Sequence, residues 1–186
     1  MEFDRALEIA CRLQDALSPY CERIQIAGSV RRLKADCGDI ELVAKPKMLP
    51  LYDMFGEKSG ERSLLNDRAI FERHGQVLKG GKRYVQVALF DGINLDLFVV
   101  MEPAQWGVIM AIRTGPADFS KWLVTPRSKG GALPNGWKVE DGRVWDGQVT
   151  PSFPEENDFL AWVGVGDVKP AERQPRWNYF RRDYRG

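Results

Sequence analysis

The sequence predicts an α+β fold, a mixed β-sheet backed by helices and followed by a smaller α/β domain. Three observations carry this expectation. A helical hydrophobic pattern opens the chain, alternating strand-like runs follow it, and beyond Pro126 the texture changes to short segments punctuated by glycine, proline and asparagine. The boundary is therefore expected near residue 125, dividing the chain into 1–125 and 126–186.

The elements follow in order. Phe3, Leu7, Ala10, Leu13 and Leu17 recur at helical intervals with charges between them, and the pattern stops before Ser18-Pro19. Arg23–Ala27 alternates as a strand and ends at Gly28-Ser29, and Asp39–Ala44 alternates again up to Lys45-Pro46. A loop rich in proline and glycine comes next, then a short helix around 64–72 and a basic turn at Lys79-Gly80-Gly81-Lys82. Tyr84–Phe90 and Ile93–Val100 form a hairpin across Asp91-Gly92, a strong short-range turn signal. Trp106–Ile112 suits either a helix or a strand, and ends at Thr114-Gly115-Pro116. Ala117–Val124 is again helical. Later, Gly130-Gly131, Pro134-Asn135-Gly136, Asp141-Gly142 and Asp146-Gly147 separate short strands.

Composition narrows the chemistry. With 186 residues, 44% of them hydrophobic, the chain can bury one or two cores. No apolar run reaches the ~20 residues of a membrane helix, and the charged N-terminus lacks the apolar stretch of a signal peptide. Cys11, Cys21 and Cys37 form no CxxC pair, which fits a reducing, intracellular or cytoplasmic setting and no membrane partner. With His74 the one histidine, acid–base or metal chemistry is expected to run on carboxylates, and His74 itself is expected at a helix end or on the surface. Net charge is +1, yet residues 169–186 hold six basic side chains against two acidic ones. Trp177, Tyr179, Phe180 and Tyr184 interleave there with Arg176, Arg181, Arg182 and Arg185. Such a tail suits stacking on bases and gripping phosphates, or docking onto its own domain.

Three acids stand out. Asp39 and Glu41 are two apart on a strand, so both carboxylates share a face while Ile40 and Leu42 point to a core. Asp96 interrupts the apolar run Asn94-Leu95-Asp96-Leu97-Phe98-Val99-Val100, where burial would penalise its charge. If the two strands are neighbours, the three carboxylates converge and call for hard divalent cations. Two such ions about 3.5–4 Å apart are the usual arrangement for in-line attack at phosphorus. The spacing also admits a turn residue at 39, a solvated face at 41 and a capped or lysine-paired Asp96. Upstream, Gly28-Ser29 offers backbone N–H groups and a hydroxyl to phosphate oxygens. Arg31 and Arg32 supply guanidinium groups. Gly38, just before the first acid, allows close approach.

The ordered string GSVRRLKADCGDIELVAKP, then LKGGKRYVQVALFDGINLDLFVV and WGVIMAIRTGPADFSKWL, resembles the palm of the family X DNA polymerases, within the nucleotidyltransferase superfamily. PEENDFLAWVGVGDVKPAERQ resembles the end of that family's thumb, so the likeness covers most of residues 1–175 and is weak around 126–150. The family's lyase and helix-hairpin-helix region has no counterpart here, which implies a minimal palm-plus-thumb plan similar to the smallest viral members. The resemblance implies that Asp39 and Glu41 bind two divalent ions, Mg²⁺ or Mn²⁺. It gives Asp96 the catalytic ion and a part in activating a primer 3′-hydroxyl. It assigns Gly28, Ser29, Arg32, Gly38, Thr114 and Gly115 to the nucleotide, and Arg31 to bracing the fold or facing outward. Lys79, Lys82, Arg127 and Lys129 become DNA contacts. The partners implied are a dNTP and a primer–template or gapped duplex, handled by a monomer.

Three departures matter. Glu41 stands where these polymerases usually carry Asp, and a longer arm favours altered metal geometry. Ile112-Arg113 replaces the family's aromatic pair beside the sugar, which opens ribonucleotide use. Thr114-Gly115-Pro116 stands at a turn where the family holds a cis peptide, and the proline predicts a cis Gly115–Pro116 bond. The activity expected is templated addition of dNMP to a DNA 3′-hydroxyl in short-gap filling. Template-independent or RNA- or small-molecule-directed nucleotidyl transfer is an alternative, and so is a catalytically silent nucleic-acid-binding module.

Overall fold

A computed structural model describes residues 1–173. The aromatic and basic tail (Arg176, Trp177, Tyr179, Phe180, Arg181, Arg182, Tyr184, Arg185) lies outside the described residues. The chain divides into two compact units. The first comprises Met1–Val30 and Ala35–Met101, and the second Arg31–Lys34 and the described residues from Glu102 on. This division at 101/102 differs from the boundary expected near residue 125, because helices 106–114 and 117–123 share the core of the C-terminal segment.

In the first unit, helix α1 (Phe3–Leu17) buries Ala6, Ile9, Ala10, Leu13 and Leu17. Leu7, expected on that stripe, is 36% exposed, because the inward face runs through Ala6 and Ile9. The main sheet has five strands: β1 (Cys21–Ile26), β2 (Asp39–Pro46), β5 (Gly75–Gly80), β6 (Tyr84–Leu89) and β7 (Asn94–Val99). Their spatial order is β1-β2-β7-β6-β5. β2 and β7 pair in parallel and the other neighbours pair antiparallel, so the sheet is mixed, as the sequence predicts. Ile40, Leu42, Leu95 and Leu97 leave at most 1% of their surface exposed and pack in one core with α1. The alternation that buries them turns Asp39, Glu41 and Asp96 to the opposite face.

Between β2 and β5 the chain forms a separate two-stranded ribbon, β3 (Met48–Tyr52) with β4 (Lys58–Ser63), then the short helix α3 (Arg68–Glu72). The sequence reads the ribbon as loop because Pro50 and Gly60 punctuate it and both faces are exposed, so no alternation marks it. β5 likewise replaces part of the expected basic turn. It is the sheet's edge strand, where lysine and glycine are tolerated without an apolar pattern.

In the second unit, α4 (Trp106–Thr114) resolves the helix-or-strand ambiguity in favour of helix. α5 (Ala117–Leu123) follows directly. Then come the hairpin β8 (Lys138–Glu140) and β9 (Arg143–Trp145) and the helix α6 (Glu156–Trp162). The hairpin turns at Asp141-Gly142, both with positive φ, as a tight two-residue loop requires. α6 starts with a capping box in which Asp158 accepts from the Glu155 backbone N–H at 2.9 Å. Val108, Ala111, Leu123, Leu133, Val144, Phe159 and Leu160 form the core of this unit.

Gly115–Pro116 is trans, contrary to expectation. Glu102–Pro103 is the cis bond among the described residues. The connector runs extended, with φ −71° and ψ 154° at Gly115, and Pro116 caps α5 by accepting the Ser120 N–H at 2.9 Å. That extended route joins the two helices without a reversal at the peptide. No helix among the described residues is long and apolar enough to cross a membrane.

Candidate functional site

The parallel pairing of β2 with β7 sets Glu41 opposite Asp96 and Asp39 opposite Asn94. The two strands expected to be neighbours are therefore paired at the sheet's centre, and all three acids occupy one half-buried face. Side-chain placement is a separate matter. Among the described residues, no group of three His, Cys, Asp or Glu side chains is gathered closely enough to hold a metal ion. The expected convergence is met in backbone register and not in side-chain position.

Two of the carboxylates have defined surroundings. Asp96 Oδ1 accepts from the Tyr84 hydroxyl at 2.7 Å and the Gln86 amide at 2.9 Å. Both donors sit on β6, the strand that flanks β7 opposite β2. Glu41 extends toward Gly28, where a Cβ would stand only 1.9 Å from Glu41 Oε2. Tyr84 and Gln86 escaped the sequence reading. The hairpin closes through Phe90-Asp91-Gly92, which pairs Gln86 with Asp96, whereas a two-residue Asp91-Gly92 turn would have paired Val87 with Asp96, so the sequence signal alone misses these partners by one residue.

Gly28 has φ +59°, a region that side-chain-bearing residues avoid, and it opens the short helix α2 (Gly28–Arg31). The positive φ and the Glu41 carboxylate both require glycine here. Ser29 is buried, and its hydroxyl finds no hydrogen-bond partner among the described residues. A buried hydroxyl left unsatisfied in a native fold calls for a ligand or water. Gly38 is exposed, and a Cβ added there would meet nothing within 4 Å.

In the second unit, Arg31 braces the fold. Its Nη1 donates to Thr114 Oγ1 at 2.6 Å, and Nη1 and Nη2 grip Glu156 at 3.0 and 2.7 Å. Glu156 also accepts from Arg173 Nη1 at 2.6 Å, and Arg173 is 1% exposed. Burial alone would raise the Glu156 pKa, but hydrogen bonds and charge from Arg173 and Arg31 outweigh it and hold the carboxyl below its ordinary range. Arg32 Nη1 donates to the carbonyls of Thr114 (2.8 Å) and Gly115 (3.2 Å). The Thr114 side chain is wholly buried and spent on Arg31. Gly115 lies so close to α5 that a Cβ would meet Phe119 Cδ1 at 2.5 Å. Ile112 packs against the second core, and Arg113 is half-buried beside it.

The remaining candidates sit apart from the acids in the chain. Lys79 ends near the Tyr84 ring, its Nζ 6.0 Å from the centroid, and Lys82 is exposed in the β5–β6 turn. Arg127 spends its guanidinium on the carbonyls of Ala132 and Val163, while Lys129 is exposed. His74 follows α3, as expected. Burial, then the charges of Arg12 and Arg73, lower its pKa.

In donor chemistry, though not in the side-chain placement described above, the three acids suit a hard divalent cation. The donors are all carboxylate oxygens, two of them from register partners, and the hydrogen-bond donors holding Asp96 are neutral. No protein-family description matches the sequence, and no curated protein matches it. Among solved structures, the fold is similar to the crystal structure of Leishmania infantum polymerase beta in a ternary P/T complex. The TM-score is 0.67 over 94% of this chain and 77% of that one, at 14% sequence identity. At that identity the likeness is one of fold: a mixed sheet backed by helices, similar to the palm of polymerase beta.

Proposed function

We propose that this chain is a nucleotidyltransferase that adds dNMP from a dNTP to a DNA 3′-hydroxyl with release of pyrophosphate, in short-gap filling. One observation carries the reading. Glu41 and Asp96 are register partners on the paired parallel strands β2 and β7, with Asp39 two residues back on the same face, in a polymerase-beta-like fold. Asp39, Glu41 and Asp96 are the residues that would hold Mg²⁺ or Mn²⁺, and such ions supply charge neutralisation and acidify a bound hydroxyl.

The rest is positioning by the chain itself. The 3′-oxygen attacks the α-phosphorus, its proton departs, and the bond to the β-phosphate oxygen breaks. Tyr84 and Gln86 orient Asp96 through Oδ1 and leave Oδ2 without a hydrogen-bond partner among the described residues. The unsatisfied Ser29 hydroxyl and the backbone at Gly28 and Gly38 are assigned to the triphosphate. Arg32 is assigned to the same group, where a guanidinium adds charge-assisted hydrogen bonds. Preorganised donors of this kind act where charge develops, without covalent catalysis.

Primer extension on gapped DNA, with Mg²⁺ or Mn²⁺ and each dNTP and NTP, tests the reading. Templated dNTP addition is expected. Untemplated or ribonucleotide addition supports the tailing alternative, and no addition under either metal supports a binding module. Asp96→Asn is expected to lower turnover by roughly a hundredfold or more with an unchanged circular dichroism spectrum. Undiminished turnover would show that the site is misassigned.

A further inference from the structure

The β3–β4 ribbon ends in a turn, Asp53-Met54-Phe55-Gly56-Glu57, that is firmly held yet presents large apolar side chains to solvent. Asp53 Oδ1 accepts from the backbone N–H of Phe55 at 2.8 Å and of Glu57 at 2.9 Å, and the Asp53 N–H donates to the Glu57 carbonyl at 2.9 Å. Met54 is nevertheless 89% exposed and Phe55 84%. Leu49 and Leu51, two apart on β3, share one face of the ribbon and are exposed as well. Arg62 and Gly60 stand opposite them in register. A Cβ at Gly60 would meet nothing within 4 Å, which leaves the space beside Leu51 open. An ordered apolar strip of this kind on a surface marks an interaction site.

Charge along the ribbon selects the occupant. Asp53 and Glu57 flank the apolar tip, which disfavours a nucleic-acid phosphate and an anionic lipid surface alike. Arg62 stands toward the ribbon's root on the face of Leu49 and Leu51. Neither Glu57 nor Arg62 has an ion pair among the described residues, whereas Lys58 is already spent on Glu61, which shares the opposite face with Pro50. Such a strip is complementary to its own reverse, with an acid at the tip, a base at the root, and apolar surface and an open glycine between. We propose that a second copy of the chain covers it. Two ribbons pack antiparallel about a two-fold axis, each Leu51 over the partner's Gly60 and each Glu57 beside the partner's Arg62. Pro50 lacks a ladder donor and β4 carries Lys58, Glu61 and Arg62, so the contact is face to face and not strand addition.

Phe55 alone can bury roughly 150–250 Å². With Met54, Leu49 and Leu51 the strip amounts to on the order of 500 Å² per copy, or about 1,000 Å² in total, the lower bound for a specific interface. The turn is fixed by its hydrogen bonds before contact, so little ordering opposes association. The dimer is therefore weak and concentration-dependent, in place of the monomer expected from the sequence. This inference goes beyond the polymerase reading and does not depend on it.

Sedimentation velocity of the full chain, from low-micromolar to several hundred micromolar, tests the proposal. The average mass is expected to rise toward twice that of the monomer. Leu51→Asp should raise the dimer Kd about tenfold or more. Glu57→Arg and Arg62→Glu should each raise it about fivefold or more, while the chain carrying both returns to within about threefold of wild type. All three positions are exposed, so the fold should survive the substitutions. In the wild-type chain the Met54 methyl resonance should move with protein concentration, a readout that needs no variant. A monomer throughout the range, a dimer that all three single substitutions leave intact, or a doubly substituted chain as weak as the single ones would overturn the proposal. So would a Met54 resonance that ignores protein concentration and moves on addition of duplex DNA or phosphatidylserine vesicles, since another occupant then covers the strip.

Discussion

Gly28 joins backbone conformation to chemistry at a single residue. Its positive φ costs a side-chain-bearing residue about 1–2 kcal/mol, and the Cβ of alanine would displace the Glu41 carboxylate. Gly28→Ala is therefore expected to lower stability by at least that amount in urea titration and to impair extension beyond what lost stability explains. Unchanged stability would mean that the backbone there relaxes freely. The acids were legible as residues because period two places 39 and 41 together and because a charge within 94–100 breaks an apolar run. Their hydrogen-bond partners were not, since Tyr84 and Gln86 carry no signal until register is known. Thr114 looked like a ligand-facing turn residue, whereas its hydroxyl is consumed by Arg31.

At the scale of elements, legibility followed burial. β2, β6 and β7 are one-sided strands, so their alternation announces them, while the β6–β7 connection runs through Phe90-Asp91-Gly92, one residue longer than the turn read from the sequence. The β3–β4 ribbon buries little, so nothing in its pattern separates it from a loop. α1 was found, but its inward face was read through Leu7, whereas the buried stripe runs through Ala6 and Ile9. Two truncations test that face and the sheet together. Leu97→Ala, in a fully buried position of β7, should cost about 2–5 kcal/mol, while Leu7→Ala should stay within about 0.5 kcal/mol in the same denaturation assay. Equal effects would contradict the burial described here.

At the scale of the molecule, one carboxylate ties together residues far apart in sequence. Glu156 holds Arg31 and Arg173, and Arg31 also reaches Thr114. No spacing rule predicts such a junction, because its members share neither helix nor strand. Breaking a buried ion pair leaves uncompensated charge, so Glu156→Gln should cost about 3–5 kcal/mol. The pH dependence has a definite sign. The folded pKa of Glu156 lies below its ordinary value of 4.5, so its contribution is complete above that value and is lost as pH falls through the depressed folded value. Acid unfolding of the wild-type chain should steepen below about pH 4.5, and that steepening should be smaller in Glu156→Gln. Identical profiles would remove Glu156 from the account.

The short excursion of residues 31–34 into the second unit also governs how the gene can be dissected. A fragment ending at Met101 would keep Arg31 yet forfeit the Glu156 carboxylate that neutralises it, and the complementary fragment would lose a cation from its interior. No single scission yields two self-sufficient modules, so chimeras that exchange the C-terminal half with another protein must carry the 31–34 peptide along with it.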